Sequence, residues 1–139
     1  MKKLIAFLLV VATLFVFVAC AKIPSDPEEL AKKLQEEYGE NVEVLVYRSE
    51  GEIDEMAKDF GISDEGLRAI LVIELENPET LEEKWAFVFY CEKSSQAKEV
   101  EEDCLDKLVG AEFADLGYVV ERSGKAVFIG EEEIFEKIK

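Results

Sequence analysis

Histidine is absent from the 139 residues, and cysteine (three), proline (three), methionine (two) and tryptophan (one) are scarce. Without histidine the chain lacks the commonest general base near neutral pH and the commonest zinc ligand, which excludes histidine-dependent hydrolases and histidine-ligated zinc sites. Three cysteines cannot build a dense disulfide framework, and without histidine they make an incomplete metal set. Basic residues are few as well: 16 Lys and Arg face 32 Asp and Glu, a net charge of −16. Nucleic-acid binding needs clustered cations that release counterions, and no such cluster occurs, so no nucleic acid is expected as a partner. Cations and basic surfaces are the partners an acidic chain attracts. There is no low-complexity stretch and no internal repeat, and the length suits one domain rather than a multidomain enzyme or a polytopic membrane protein.

The long apolar run lies at the start. From Met1 to Ala19 only Lys2, Lys3 and Thr13 are not hydrophobic, which is the pattern of a secretory signal. It closes on Phe17-Val18-Ala19-Cys20, which resembles the lipobox of bacterial lipoprotein signals and implies that Cys20 is the lipidated first residue of the mature chain. Two competitors exist: Ala19-Cys20-Ala21 satisfies an A-x-A cleavage pattern, and the segment could be retained as an anchor. A helix of this apolar length covers roughly 24 Å, short of a ~30 Å hydrocarbon core, so lipidation is preferred. The expected organisation is a signal peptide over 1–19, a lipidated Cys20 and short tether over 20–25, and one acidic domain over 26–139. A tether from Ala21 to Ser25 reaches at most about 17 Å and holds that domain near the bilayer. Losing Lys2 and Lys3 with the leader makes the charge two units more negative than −16.

Beyond residue 25 the hydrophobic period alternates between that of helices and that of strands. Asp26-Pro27-Glu28-Glu29 opens a helix with Leu30, Leu34 and Tyr38 on one face and Gly39 at its end. Val42 to Arg48 alternates as a strand; Ser49 with Glu52 starts a helix carrying Ile53, Met56 and Phe60, closed by Gly61. Arg68 to Glu76 is apolar on both faces, as a central strand requires, and Trp85 to Cys91 is the aromatic strand. A helix over Ser95–Val109 presents Ala97, Val100, Cys104 and Leu108, and Gly110 or Gly117 releases it. Tyr118–Arg122 and Lys125–Ile129 flank a turn at Ser123-Gly124, and Glu131–Lys139 forms a last helix buried through Ile134, Phe135 and Ile138. The fold class is α+β: a two-layer sandwich with a ferredoxin-like βαββαβ core, an N-terminal helix, and a C-terminal hairpin strand and helix.

Chemistry-bearing residues are weighed against plainer roles. Cys91 and Cys104 could form a disulfide worth about 3 kcal/mol, but one ends a strand and the other sits well into a returning helix, which favours two small buried hydrophobes. The acids Glu99, Glu101, Glu102 and Asp103, and Glu131 to Glu133, lack the ligand alternation and glycine of a calcium loop. Acid-first pairs Glu28/Lys32, Glu29/Lys33, Asp103/Lys107 and Glu133/Lys137 explain most of the acid as solvated helix face. Gly61 to Gly66 has a phosphate-loop glycine spacing, but Leu67-Arg68 replaces the required Lys-Ser/Thr. Trp85, Phe87 and Phe89, at period two, belong to a core more readily than to a ligand cleft. No catalytic residue, metal ligand or cofactor site stands out.

The leader ending in Ala19-Cys20, the strand Phe87-Val88-Phe89-Tyr90 followed by an Ala-, Lys- and Glu-rich helix, and the closing segment Val119 to Gly130 resemble small uncharacterised lipoproteins of Gram-positive bacteria. The resemblance implies location and a single domain, and no activity. The expectation is a non-enzymatic binding module on the outer face of the cell membrane, anchored by lipid on Cys20, that engages an envelope protein or small ligand. The competing expectation is an extracytoplasmic enzyme using carboxylates or a divalent cation.

Overall fold

The computed structural model describes residues 23–108 and 117–139. The leader, Cys20, the release of the third helix near Gly110, and the side chains of Lys107 and Leu108 lie outside the described residues. In chain order the elements are α1 (Pro27–Tyr38), a 3-10 turn (Gly39–Asn41), β1 (Val42–Tyr47), α2 (Glu50–Phe60), β2 (Leu67–Glu76) and β3 (Glu83–Cys91). They are followed by α3 (Ser94–Leu108), β4 (Tyr118–Ser123), β5 (Ala126–Glu131) and α4 (Glu132–Ile138).

Capping explains where the first two helices start. Asp26 Oδ1 accepts a hydrogen bond from the Glu28 amide at 3.1 Å, with Pro27 in the first turn. Ser49 Oγ accepts from the Glu52 amide at 3.4 Å and donates to the Glu52 carboxylate at 2.6 Å, so two polar groups of that turn satisfy each other. At the other end of α2, Gly61 adopts a left-handed conformation (φ 65°), and the Ile62 amide reaches back to the Ala57 carbonyl.

The five strands form one open antiparallel sheet in the order β1-β2-β3-β5-β4. As expected, β2 is internal to the sheet, and β3 is its middle strand. Their side chains divide between two cores: Ala69, Leu71, Ile73, Val88 and Tyr90 face α1 and α4, while Ile70, Phe89 and Cys91 face α2 and α3. Leu30, Leu34, Ile134 and Ile138 cover the first face, each contributing about 1.5–3 kcal/mol by leaving water. Ile53, Ala57, Ala97, Val100 and Cys104 cover the second.

Two features of the expected topology are corrected. The sheet is covered on both sides, making three layers rather than two, because strands apolar on both faces expose hydrophobic surface unless each face has its helices. The ferredoxin-like split βαβ connection is not formed either: β1 and β2 are antiparallel neighbours. The cause lies after α2. A helix of 11 residues returns the chain about 16 Å, and the segment Gly61–Gly66 can undo that displacement, so β2 starts at the sheet end where β1 finished.

Smaller differences have local causes. The final hairpin pairs Ser123 with Ala126, so its two-residue turn is Gly124-Lys125, with Gly124 supplying the positive φ (59°) at the first turn position. Among the described side chains, the expected acid-first helix pairs do not form close ion pairs. Lys33 donates to the Ile138 carbonyl (3.1 Å), Lys137 meets Glu37 (3.0 Å), Glu28 meets Arg48 (3.0 Å) and Glu133 meets Lys84 (3.4 Å), because neighbouring elements offer partners that an isolated helix lacks. Lys107, in the fourth expected pair, has its side chain outside the described residues.

The folded body begins before residue 26. Ile23 is buried among the α1/α4-side residues and its amide donates to Ser123 Oγ at 3.1 Å. The Pro24 carbonyl accepts from the Tyr90 hydroxyl at 2.9 Å, and the Ser25 carbonyl accepts from Arg68. Ile23 to Ser25, expected as tether, is thus fastened to the sheet end formed by Tyr90, Ala126 and the Gly124-Lys125 turn.

Candidate functional site

The sheet end opposite that fastening carries the exposed chemistry. From Tyr90 to Glu83 is seven residue steps along β3, about 24 Å at ~3.4 Å per step. Between residues 74 and 84 the chain places Glu74, Glu76, Glu79, Glu82 and Glu83 with Lys84 as the one cation. Two surfaces result, one on each face of the sheet.

On the α2/α3 face, pairing aligns Glu43 with Glu74 and Trp85 in one row, and Leu45 with Val72 and Phe87 in the next. Helix cover fades here: Leu45 is 44 % exposed and Trp85 38 % exposed. Phe60 packs edge-on against Phe87 (centroids 4.7 Å) and Phe89 (5.2 Å), marking where the covered part begins. Partial burial pushes the Glu74 carboxyl up from its ordinary range, and the carboxylates of Glu83, Glu43 and Glu76 push it further the same way. The patch is apolar at its centre and negative around it.

On the α1/α4 face an open cleft of about 330 Å³ is lined by Tyr38, Asn41, Glu76, Asn77, Lys84 and Glu133, among others. The Asn77 side chain accepts from the Glu79 amide at 2.9 Å and shapes the β2–β3 turn. Lys84 sits 3.0 Å from Glu131 and 3.4 Å from Glu133, and the hydrogen bond its ammonium donates to Glu131 is the first cause holding its pKa up. Half-burial, followed by the Glu133 charge, raises the Tyr38 phenol. With its cation already neutralised, the cleft suits a hydroxyl-rich or cationic ligand better than an anion.

The sequence-derived candidates are placed as follows. Cys20 lies outside the described residues. Cys91 and Cys104 are thiols buried in the α2/α3-side core, and burial pushes the Cys91 thiol up to about 11, with Arg68 opposing the shift. The aromatic trio splits: Phe89 is fully buried, Phe87 half-buried, and Trp85 emerges on the surface. Among the described residues no group of three or more Cys, Asp or Glu is arranged to hold a metal ion. No described helix is long and apolar enough to cross a membrane.

Lys84, Leu45 and Glu74 were not singled out from sequence. Glu74 has a legible signal, since it interrupts a strand that is otherwise apolar on both faces. For Lys84 the signal is weaker: a single base within an acidic turn. Compared with protein-family models, with curated proteins and with solved structures, the chain matches none.

Proposed function

We propose that the chain is a non-catalytic binding module held on the outer face of the cell membrane by lipid on Cys20, with the far end of its sheet turned toward an envelope protein or small ligand. One observation carries the reading. The chain joins the body at Ile23–Ser25, on one sheet end, whereas exposed Trp85 and the cleft lie toward the other. From Cys20 to the fixed Ile23 the chain spans at most about 10 Å, so a lipid there would hold the fastened end against the bilayer and direct the acidic end outward. Repulsion from anionic headgroups acts in the same sense within a Debye length of about 8 Å. The lipobox and the resemblance to small Gram-positive lipoproteins support the anchor.

Intact-mass measurement on the protein extracted from its own host in mild detergent tests this. A diacylated or triacylated chain beginning at Cys20 is expected. A chain beginning at Lys22, or one that retains Met1, would overturn the anchor. Neutralising Glu43, Glu74, Glu76 and Glu133 one at a time separates the competing enzyme class: a binding module loses no turnover with any of them, whereas a carboxylate enzyme loses it sharply with one or two.

A further inference from the structure

Among the described residues β1 pairs only with β2, so it forms one edge of the sheet. Natural sheets protect such edges with proline, lysine, a bulge or a covering segment. The opposite edge, β4, differs: it carries two charged residues, Glu121 and Arg122, Arg122 pairs with Glu101 of α3 at 3.6 Å, and the Ile23 amide donates to the Ser123 hydroxyl. The edge strand Val42–Tyr47 has no proline, no lysine and no register shift against β2, and its one charged residue is Glu43. Its outward N–H and C=O groups form a template for another strand.

We infer that β1 is the docking edge for an extended, basic segment of a partner protein, which adds to the sheet as a further strand. The inference rests on the binding-module reading and names its partner class. Charge selects the occupant. Next to β1 the sheet face carries Glu43 and Glu74, with Glu76 and Glu83 beyond, and Lys84, the cation within 74–84, is bound to Glu131 and Glu133. A second copy of the chain would set two molecules of net charge −16 edge to edge, with their Glu43 and Glu74 carboxylates on one continuous face of the joined sheet. A basic strand places compensating charge there instead. Side-chain alternation then sets its pattern. Lysines or arginines lie on the α2/α3 face, their stems over exposed Leu45 and their heads at Glu43 and Glu74. Aliphatic residues lie on the α1/α4 face beside half-buried Val44 and Val46.

Amide hydrogen exchange on the full chain in mild detergent tests the assignment. The probes are an acetylated, amidated heptapeptide alternating lysine with valine, and the same peptide with glutamate in place of lysine. The lysine peptide is expected to slow exchange of the 42–47 amides about tenfold or more, less so as salt rises, while the glutamate peptide does not. Glu43→Lys, at an exposed position, should remove that protection while leaving exchange in Glu83–Cys91 unchanged, which certifies the fold. Equal protection by both peptides, or protection that survives Glu43→Lys, overturns the charge selection. Protection at 42–47 that grows with protein concentration alone overturns it in favour of self-association. No slowing at 42–47 overturns the edge; if protection instead gathers around Tyr38, Asn77 and Lys84, the binding-module reading stands and the cleft is its site.

Discussion

Tyr90 is the residue on which the strands and the N-terminal segment converge: its ring is buried, its hydroxyl reaches the Pro24 carbonyl at 2.9 Å, and Arg68 stands 5.3 Å from its centroid. Tyr90→Phe leaves the ring and removes the bond, so a loss of about 0.5–1.5 kcal/mol is expected, read as a lower urea midpoint with faster exchange at Ser25 and Asp26. An unchanged midpoint and exchange would show that the bond does not hold the segment. Burial raises the Tyr90 phenol and, against Arg68, brings the Cys91 thiol to about 11 from an ordinary 9.0. Both groups hold their protons more tightly in the folded state: the Cys91 contribution is complete below pH 9 and is lost as pH rises through 11, whereas that of Tyr90 begins to be lost only above its ordinary 10.0. Tm should therefore decline between pH 9 and 11, and a flat profile across that interval would count against the burial of the Cys91 thiol. Cys91 was legible in the sequence as a small buried hydrophobe. The role of Tyr90 was not, because its partner lies 66 residues away in sequence.

Elements were the most legible level, since a period of two or of 3.6 and a capping residue are local properties. The boundaries that moved did so where pairing decides them: β3 starts at Glu83 because Glu76 pairs with it, and the hairpin turn shifted by one residue because β4 and β5 align Ser123 with Ala126. Closeness between elements is where a substitution costs most. A Cβ added at Gly130 in β5 would lie 2.5 Å from the Ala86 Cβ and 2.9 Å from its Cα in β3. Gly130→Ala should destabilise by about 1–3 kcal/mol through this overpacking, measured by denaturant unfolding, and a neutral effect would mean that the β3–β5 pair can spread at no cost. For α2, Ser49→Ala should remove about 1 kcal/mol by taking away the cap of Glu52, and circular dichroism during thermal unfolding would register the loss.

Across the whole molecule, a net charge of −16 sets acids near one another more closely in the folded state than in an expanded chain. Raising sodium chloride from about 10 to 300 mM should therefore raise stability by about 0.5–1 kcal/mol, or a few degrees in Tm. A falling Tm would instead show that exposed pairs such as Arg48–Glu28 and Lys58–Asp54 outweigh the repulsion. The same charge distribution makes β1 an edge for a basic strand and opposes pairing with a second copy.

By itself the sequence determined the element types, the central place of the strand from Arg68 to Glu76 and the surface acidity, because periodicity, capping and charge are written residue by residue. Tertiary structure decided the strand order, the third layer and the fastening of Ile23–Ser25. It also decided which acids meet which bases and that Leu45, midway along the sheet, and Trp85, toward the end away from that fastening, stay exposed. These depend on contacts between distant segments, and several pairings compatible with one hydrophobic pattern differ only in how completely both faces of the sheet are covered.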